Sequence, residues 1–508
     1  MTAEPRTVVA GKAVVAGKAV VAGEVVVAGE GFAAEEEAAG LGRAAARGAL
    51  ATVGGQLARA VLQAGGVVLL ARLVAPAEYG LLAMAGVVVG TGEVVRDLGL
   101  FYAAVQAPAL SRRQRDALFW CNAALGGLLY AGIFVAAPSV ADVFGKEHLA
   151  AVLRVLALVV VIGGCTVQLR VEATRALRFG LLARAELGAV AGSLVLSAVL
   201  AWRGAGVWAL VAQQLFFALA VALALARSVG FWPRLSRAGV AEALPLLRFG
   251  VPVMLSSLLG SASRNADSVV VGRLFGAAAL GAYDRAYQIL LLPLNQLNQP
   301  LARVALPVLS RLRGDALLAF ALRGQAALVF AAGTLFTAGA VAAPALFTTV
   351  LGAQWAPSAP LFRWLAVGGV LQTVAYVCDW LFLATGNARA NLRSCLVTRP
   401  LLIVCMAVGA LGGPLGVAAG FAAGAALSWP IALLWLRRAT GLRVGALVGH
   451  GLRALVALAA SGLAAAVTAG PLGHGWWALV ATGVLVPAYL ALLATTWPAL
   501  RRDLRAVW

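Results

Sequence analysis

Long apolar runs, each closed by a short loop, repeat along most of the chain. Fourteen can be marked, at roughly 49–71, 79–98, 116–137, 150–170, 182–202, 206–226, 249–271, 283–307, 323–346, 360–384, 393–412, 415–436, 447–468 and 475–497. Each is long enough to cross about 30 Å of hydrocarbon as an α-helix. The glycines and prolines inside them are tolerated in that setting. The pattern predicts an all-α polytopic membrane protein with about 14 transmembrane helices.

Polar residues interrupt the runs at few places, most densely between 249 and 313. Two helices joined by a short turn are expected there. The first carries Arg264, Asn265 and Asp267. The second opens with Asp284 and Arg285 and carries Asn295, Gln296, Asn298 and Gln299 between Pro293 and Pro300. Charge at membrane depth is costly and is retained where it has a partner or a task. Prolines and amides together predict a kinked helix that lines a wet cavity. Arg264 and Asp267 share a helix face. They read either as a self-neutralising pair that fixes packing or as an anion site in which Asp267 orients Arg264. Asn295, Asn298 and Gln299 also share a face, suited either to hydrogen bonds between helices or to sugar hydroxyls.

The same stretch is an internal copy. VVLLARLVAPAEYGLLAMA from Val67 aligns with SVVVGRLFGAAALGAYDRA from Ser268 at an offset of 201 residues, matching Arg72 with Arg273, Leu73 with Leu274, Gly80 with Gly281 and Ala85 with Ala286. A repeat of about 200 residues in a membrane chain points to a two-lobed transporter. Runs 1–6 and 7–12 form the copies. Each copy holds an even number of helices, so the two six-helix lobes are expected to run the same way, as a parallel repeat about an axis along the membrane normal. The expected divisions are a tail (1–45), an N-terminal lobe (46–230), a C-terminal lobe (231–440), and two extra C-terminal helices with a basic cytoplasmic tail (441–508).

The tail contains four six-residue units, VVAGKA, VVAGKA, VVAGEV and VVAGEG, across residues 8–31. Charges recur every six residues, so no unbroken apolar core for a signal peptide is present. Gly11-Lys12 and Gly17-Lys18 lack phosphate-loop spacing, and Ala19 stands where a magnesium-binding hydroxyl belongs. A disordered, low-complexity cytoplasmic tail is expected.

Composition agrees with the pattern. Of 508 residues, 62% are hydrophobic and 12% charged, about half the charge fraction usual in soluble chains. The net charge is +20, but the basic residues sit in short loops between apolar runs, so no nucleic-acid partner is expected. Loops after even-numbered runs, with the C-terminal tail, hold 24 arginines; the other loops hold Arg72, Lys146, Arg203 and Arg273. The positive-inside rule then places both termini in the cytoplasm. Arginine outnumbers lysine 37 to 3 and alanine and glycine abound, which fits a GC-rich bacterial genome; a bacterial plasma (inner) membrane is the expected location.

Other charged positions fall at helical spacing. Gln56, Arg59 and Gln63 share a face of the first run, and Arg59 has no acid on its own helix, which makes it a cavity candidate with Gln63. Glu93, Arg96 and Asp97 share a face of the second, as a local salt-bridge cluster or a gate or proton site. Asp379 and Arg399 are singletons that either pair across helices or face a cavity, and Asp284 and Arg285 join them as gating or ion-coupling candidates. Glu186 is placed to snorkel toward the inner surface. Trp355, Trp476 and Trp477 read as interfacial anchors. His148, His450 and His474 fall in expected loops. No metal site, cofactor motif or enzyme signature stands out, and the five cysteines read as buried small hydrophobes.

The segments ARLVAPAEYGLLAMA (71–85), DLGL (97–100) followed by Gln106, GVWALVAQQL (206–215), SRNAD (263–267), VGRLFGAAALGAYDRAYQILLLP (271–293) and PLARVALPVLSRL (300–312), with Trp355, carry a resemblance. Over about 45–440 the chain resembles the polysaccharide-flippase branch of the multidrug/oligosaccharidyl-lipid/polysaccharide (MOP) exporter superfamily, Wzx-type and colanic-acid-exporter-like. The resemblance implies a MOP/MATE-like fold enclosing a cationic cavity. It also implies an undecaprenyl-diphosphate-linked oligosaccharide as cargo, flipped by alternating access and driven by an H+ or Na+ gradient. Glycosyltransferases and a polysaccharide polymerase would be pathway partners, and membrane lipids surround the protein. The alternatives are a MATE-like drug antiporter, whose cavity should be acidic, a peptidoglycan lipid-precursor flippase, and a membrane glycan polymerase, which would need a catalytic outer loop.

Overall fold

A computed structural model describes residues 59–505, apart from 60, 98–100, 102–103, 106–109, 235–238, 471–472 and 474. The side chains of Arg264, Asn295 and Gln299, and the predicted tail at 1–45, lie outside the described residues.

The described chain is helical throughout its ordered elements. They are α1 (Val61–Leu73), α2 (Pro76–Asp97), α3 (Arg112–Phe144), α4 (His148–Arg175), α5 (Phe179–Trp202) and α6 (Val207–Val229). A stretch from Gly239 to Arg311 follows, in which α7 (239–275) and α8 (277–311) meet. Then come α9 (Gly314–Val341), α10 (Ser358–Ala384), α11 (Ala388–Gly409), α12 (Gly413–Thr440), α13 (Gly445–Ala469), α14 (Trp476–Thr496) and α15 (Pro498–Arg505). The first fourteen fall on the fourteen apolar runs. Among the described residues, ten helical stretches, with α11 and α12 counted as one, are long and apolar enough to cross a membrane. The fold is that of an all-α polytopic membrane protein.

Local chemistry explains several boundaries. α3 starts with a capping box: the Ser111 hydroxyl accepts from the Gln114 amide at 3.1 Å, and the Gln114 side chain accepts from the Ser111 amide at 3.0 Å, meeting two helix-end donors at once. α6 starts on Glu78, whose carboxylate accepts from the Val207 amide at 2.9 Å. Within 239–311 the backbone leaves helical values at Gly276 (φ 83°), the short turn expected between the two helices. A residue without Cβ reaches that conformation without strain.

Small residues set the closest approach of α2 to the 239–311 stretch. A side chain on Gly80 would strike the Ala277 carbonyl, and one on Gly281 would strike that of Pro76. Around this crossing Met84, Leu280, Tyr283, Leu290, Phe336, Phe347 and Trp355 are fully or almost fully buried. A second cluster joins α9, α10, α12 and α13 with Leu500 of α15.

Within the expected C-terminal tail, residues 498–505 form a helix: Leu500 is buried, and Asp503 receives two hydrogen bonds from Arg453, at 2.8 and 3.1 Å. His450 lies inside α13 rather than in a loop; it is buried, with Nδ1 3.1 Å from the Gln325 side-chain oxygen.

Candidate functional site

A cavity of about 1080 Å³ runs between α1, α2, α4, α5 and α6 on one side and α7 and α8 on the other. Tyr79 and Asp97 both line it and are eighteen residues apart on α2. At 1.5 Å per residue that is a depth of about 27 Å, close to the thickness of a bilayer core. The expected candidates Arg59, Gln63, Glu93, Arg96, Asp97, Asn265, Asp284 and Arg285 all face it, with Arg170, Gln213, Gln214 and Gln288 beside them.

The two ends differ. At one, the side chains of Arg59, Arg170 and Asp97 are 37, 35 and 47% exposed. At the other, Arg285 is 8% exposed and Trp355 wholly buried. The buried end is shut by the chain between α9 and α10, a π-turn Leu346–Leu351 followed by a 3-10 turn Ala353–Trp355. Its groups meet the α1–α2 turn. Arg72 donates to the Thr349 and Val350 carbonyls at 2.6 and 3.0 Å. Gln354 donates to those of Ala71 and Val74, and the Trp355 indole donates to Ala71 at 2.7 Å. Trp355 is therefore not an interfacial anchor. Its N–H is satisfied by backbone, and its ring packs edge-on against Tyr79 at 5.3 Å. Trp476 and Trp477, at the start of α14, are exposed.

Charges at the exposed end are paired. Glu186 binds Arg59 and, at 2.8 Å, Arg170, so from α5 it ties α4 to the residue just ahead of α1 rather than snorkelling. Arg96 lies 3.6 Å from Glu93 and 3.1 Å from Asp97, the local cluster that their spacing predicts. Arg285 differs. Its guanidinium carbon sits 4.1 Å over the Tyr79 ring and 5.7 Å from that of Trp355. No carboxylate oxygen among the described residues lies within 4 Å of it, and its buried Nε has no hydrogen-bond partner. The described lining holds four arginines (59, 96, 170, 285) and three carboxylates (93, 97, 284). Its summed charge is close to balanced, not strongly cationic; what distinguishes it is where the unpaired guanidinium sits.

Other candidates lie elsewhere. Asp267 is buried, accepting from the Tyr283 hydroxyl at 3.1 Å and the Ser268 amide at 2.8 Å. Asp267 is therefore not among the cavity's lining residues, because local donors hold its carboxylate inside the helix packing. Asn298 also lies away from the lining, its buried Oδ1 without a hydrogen-bond partner among the described residues. Asn265 lines the cavity and donates to the Ser261 hydroxyl at 3.2 Å. Asp379 and Arg399 meet in a separate cavity of about 110 Å³ between α10, α11 and α12. Arg170, Tyr79, Arg72, Gln354 and Trp355 were not foreseen as site residues. The repeat and the quoted segments around 71–85 and 355 are the signals that pointed near them.

Comparisons with known proteins agree with this architecture. A family model described as "Polysaccharide biosynthesis protein" matches residues 69–360. The chain is 24% identical over 368 residues to the lipopolysaccharide biosynthesis protein WzxC of Escherichia coli (strain K12), covering 69% of this chain and 72% of that protein. It is 26% identical over 305 residues to the teichuronic acid biosynthesis protein TuaB of Bacillus subtilis (strain 168), covering 58% and 62%. It is 28% identical over 312 residues to the succinoglycan biosynthesis transport protein ExoT of Rhizobium meliloti (strain 1021), covering 60% and 62%. Among solved structures, the lipid II flippase MurJ in an inward closed conformation superposes with a TM-score of 0.62 at 14% identity, covering 89% of this chain and 99% of that one. An inward-facing multidrug resistance MATE family transporter gives 0.59 at 18% identity, covering 77% and 96%. The chain thus belongs to the family described as polysaccharide biosynthesis protein, whose model covers more than half of it.

Proposed function

We propose that this protein moves an undecaprenyl-diphosphate-linked oligosaccharide from the inner to the outer leaflet of the bacterial plasma membrane by alternating access, driven by an ion gradient. In this reading the lobes are 46–230 and 231–440, related as a parallel repeat, with 441–508 appended and both termini in the cytoplasm. The reciprocal contacts of Gly80 and Gly281 support the repeat.

The observation that carries the reading is Arg285. A desolvated guanidinium at the blind end of a cavity, stacked on rings and with no carboxylate partner among the described residues, is a receptor for a phosphoryl group. A small-cation exporter would instead bind through a carboxylate; Asp284 lines the same cavity, but it sits in the field of Arg285 and is hydrogen-bonded to Gln288. The cavity is at the upper end of sizes that enclose drug-like ligands, which suits a sugar-bearing head group whose lipid tail stays in the bilayer. Arg264, Asn295 and Gln299 remain candidates for the same cargo. Glu93, Arg96, Asp97, Asp379 and Arg399 remain candidates for gating or ion coupling. A peptidoglycan lipid precursor would present the same diphosphate, so the glycan is decided by other contacts.

The test is reconstitution into liposomes with a fluorescent polyprenyl-diphosphate oligosaccharide, its translocation read by quenching of outward-facing dye. Transport above empty liposomes, and its loss in Arg285→Ala, are expected. Transport of a lipophilic cation but not of this lipid would sink the reading.

A further inference from the structure

We infer that Tyr79 and Trp355 are positioning residues that hold Arg285 ready for cargo only while the buried end of the cavity is shut. The inference rests on the anionic-cargo reading above and adds how affinity is tied to conformation.

Three separate segments build the arrangement. Arg285 comes from α8, Tyr79 from α2, and Trp355 from the turns between α9 and α10. A guanidinium held by its face keeps its planar N–H fork free for an anion. The two rings also keep water from the cation, which strengthens its attraction for a phosphoryl group. Trp355 does not reach this place alone. Its indole is fixed by the Ala71 carbonyl at 2.7 Å, and Arg72 and Gln354 fasten the same two segments on either side. These groups bridge residues about 280 apart in sequence, so parting of the segments removes Trp355 from Arg285 and lets water in. A ligand shifts a conformational equilibrium only through different affinities for its states. Here the difference is built in: the anion is held tightly with this end shut and loosely once it opens, which favours release on that side.

The experiment is a double-mutant cycle on the purified full chain, with farnesyl diphosphate as probe and farnesol as its uncharged control, binding followed by calorimetry. Arg72 is exposed and does not line the cavity, so Arg72→Ala loosens the fastening without touching the site. We expect it to weaken farnesyl diphosphate binding about fivefold or more by lowering the population of the shut state. Trp355→Leu should weaken it about tenfold to thirtyfold, with Trp355→Phe, which keeps a ring, between that and the unaltered protein. Both losses should disappear in an Arg285→Ala background. Equal losses with and without Arg285, or none, overturn the inference. Should Trp355→Leu fail to fold, the Arg72→Ala arm decides alone. If Arg285→Ala abolishes diphosphate binding while Arg72 and Trp355 changes leave it untouched, the cargo reading stands and this inference falls. If the unaltered protein binds farnesyl diphosphate no better than farnesol, both fall.

Discussion

Gly80 and Gly281 occupy exchanged places in one helix crossing. Each presses on a main-chain carbonyl, that of Ala277 for Gly80 and that of Pro76 for Gly281. The 201-residue offset turns Gly80 into Gly281 and Pro76 into Ala277, so the contact maps onto itself. Reciprocal contacts of this kind are what a two-fold relation between two copies produces. Both pairs lie near the starts of α2 and α8, as a repeat of either sense requires.

A methyl group at either glycine has no room, because the obstacle is backbone rather than a flexible side chain. Gly80→Ala and Gly281→Ala should each destabilise the protein by about 1–3 kcal/mol. The double variant should cost less than the sum, since one displacement of the helices relieves both clashes. Thermal unfolding in detergent, followed by tryptophan fluorescence, reads this. Unchanged or strictly additive melting temperatures would show that the crossing is not shared.

The orientation proposed from the loop arginines is testable by reporter fusions. Lys146 lies between α3 and α4, while Arg113 opens α3 and Arg438 closes α12. Reporter fusions after Arg113, Arg237 and Arg438 should read cytoplasmic, and one near Lys146 external. A cytoplasmic signal at Lys146 inverts the assignment.

Helix positions were legible because apolar length and basic loops are properties of contiguous sequence. The site was legible only in part. Arg59 and Arg96 could be placed on a helix face by spacing, but Glu186, which pairs with Arg59, is 127 residues away and no spacing rule reaches it. Trp355 misled because an aromatic beside an apolar run has the same local pattern whether it meets lipid or a carbonyl from another segment. α15 was not marked because half of PALRRDLR is charged; its burial depends on Leu500 and on an acid whose partner lies 50 residues earlier.

Arg264 lies about 15 residues into its apolar run, about 22 Å from the start along a helix, too deep to reach the inner surface easily by snorkelling. Its neighbour Asp267 is already engaged by Tyr283 and the Ser268 amide. Arg264→Ala should therefore give a folded, inserted protein that fails to export, with Arg264→Lys partly active. Adding Asp267→Ala should not restore export, and should lower stability by stranding the Tyr283 hydroxyl. Recovery of function in that double variant would mean that the two residues act as a packing pair, and normal export by a stable Arg264→Ala variant would refute the cargo role.

The C-terminal helix is held by two contacts of different kinds. Leu500 is fully buried against the cluster formed by α9 and α13, and Arg453 grips Asp503 with both carboxylate oxygens engaged. Burial supplies most of the docking energy: Leu500→Ala should cost about 2–5 kcal/mol. The ion pair is partly exposed, with Arg453 at 34% and Asp503 at 15%, so screening reduces it and Asp503→Ala should cost about 1 kcal/mol. Arg501 and Arg502 are exposed on the same helix, which makes trypsin a direct probe, because a docked helix resists the extended conformation a protease needs. Cleavage after these arginines should be slow in the unaltered protein, modestly faster in Asp503→Ala and much faster in Leu500→Ala. Exchanging the charges, Arg453→Asp with Asp503→Arg, should return the slow rate. Equal cleavage in all four proteins would mean that α15 is not held against the helices it covers.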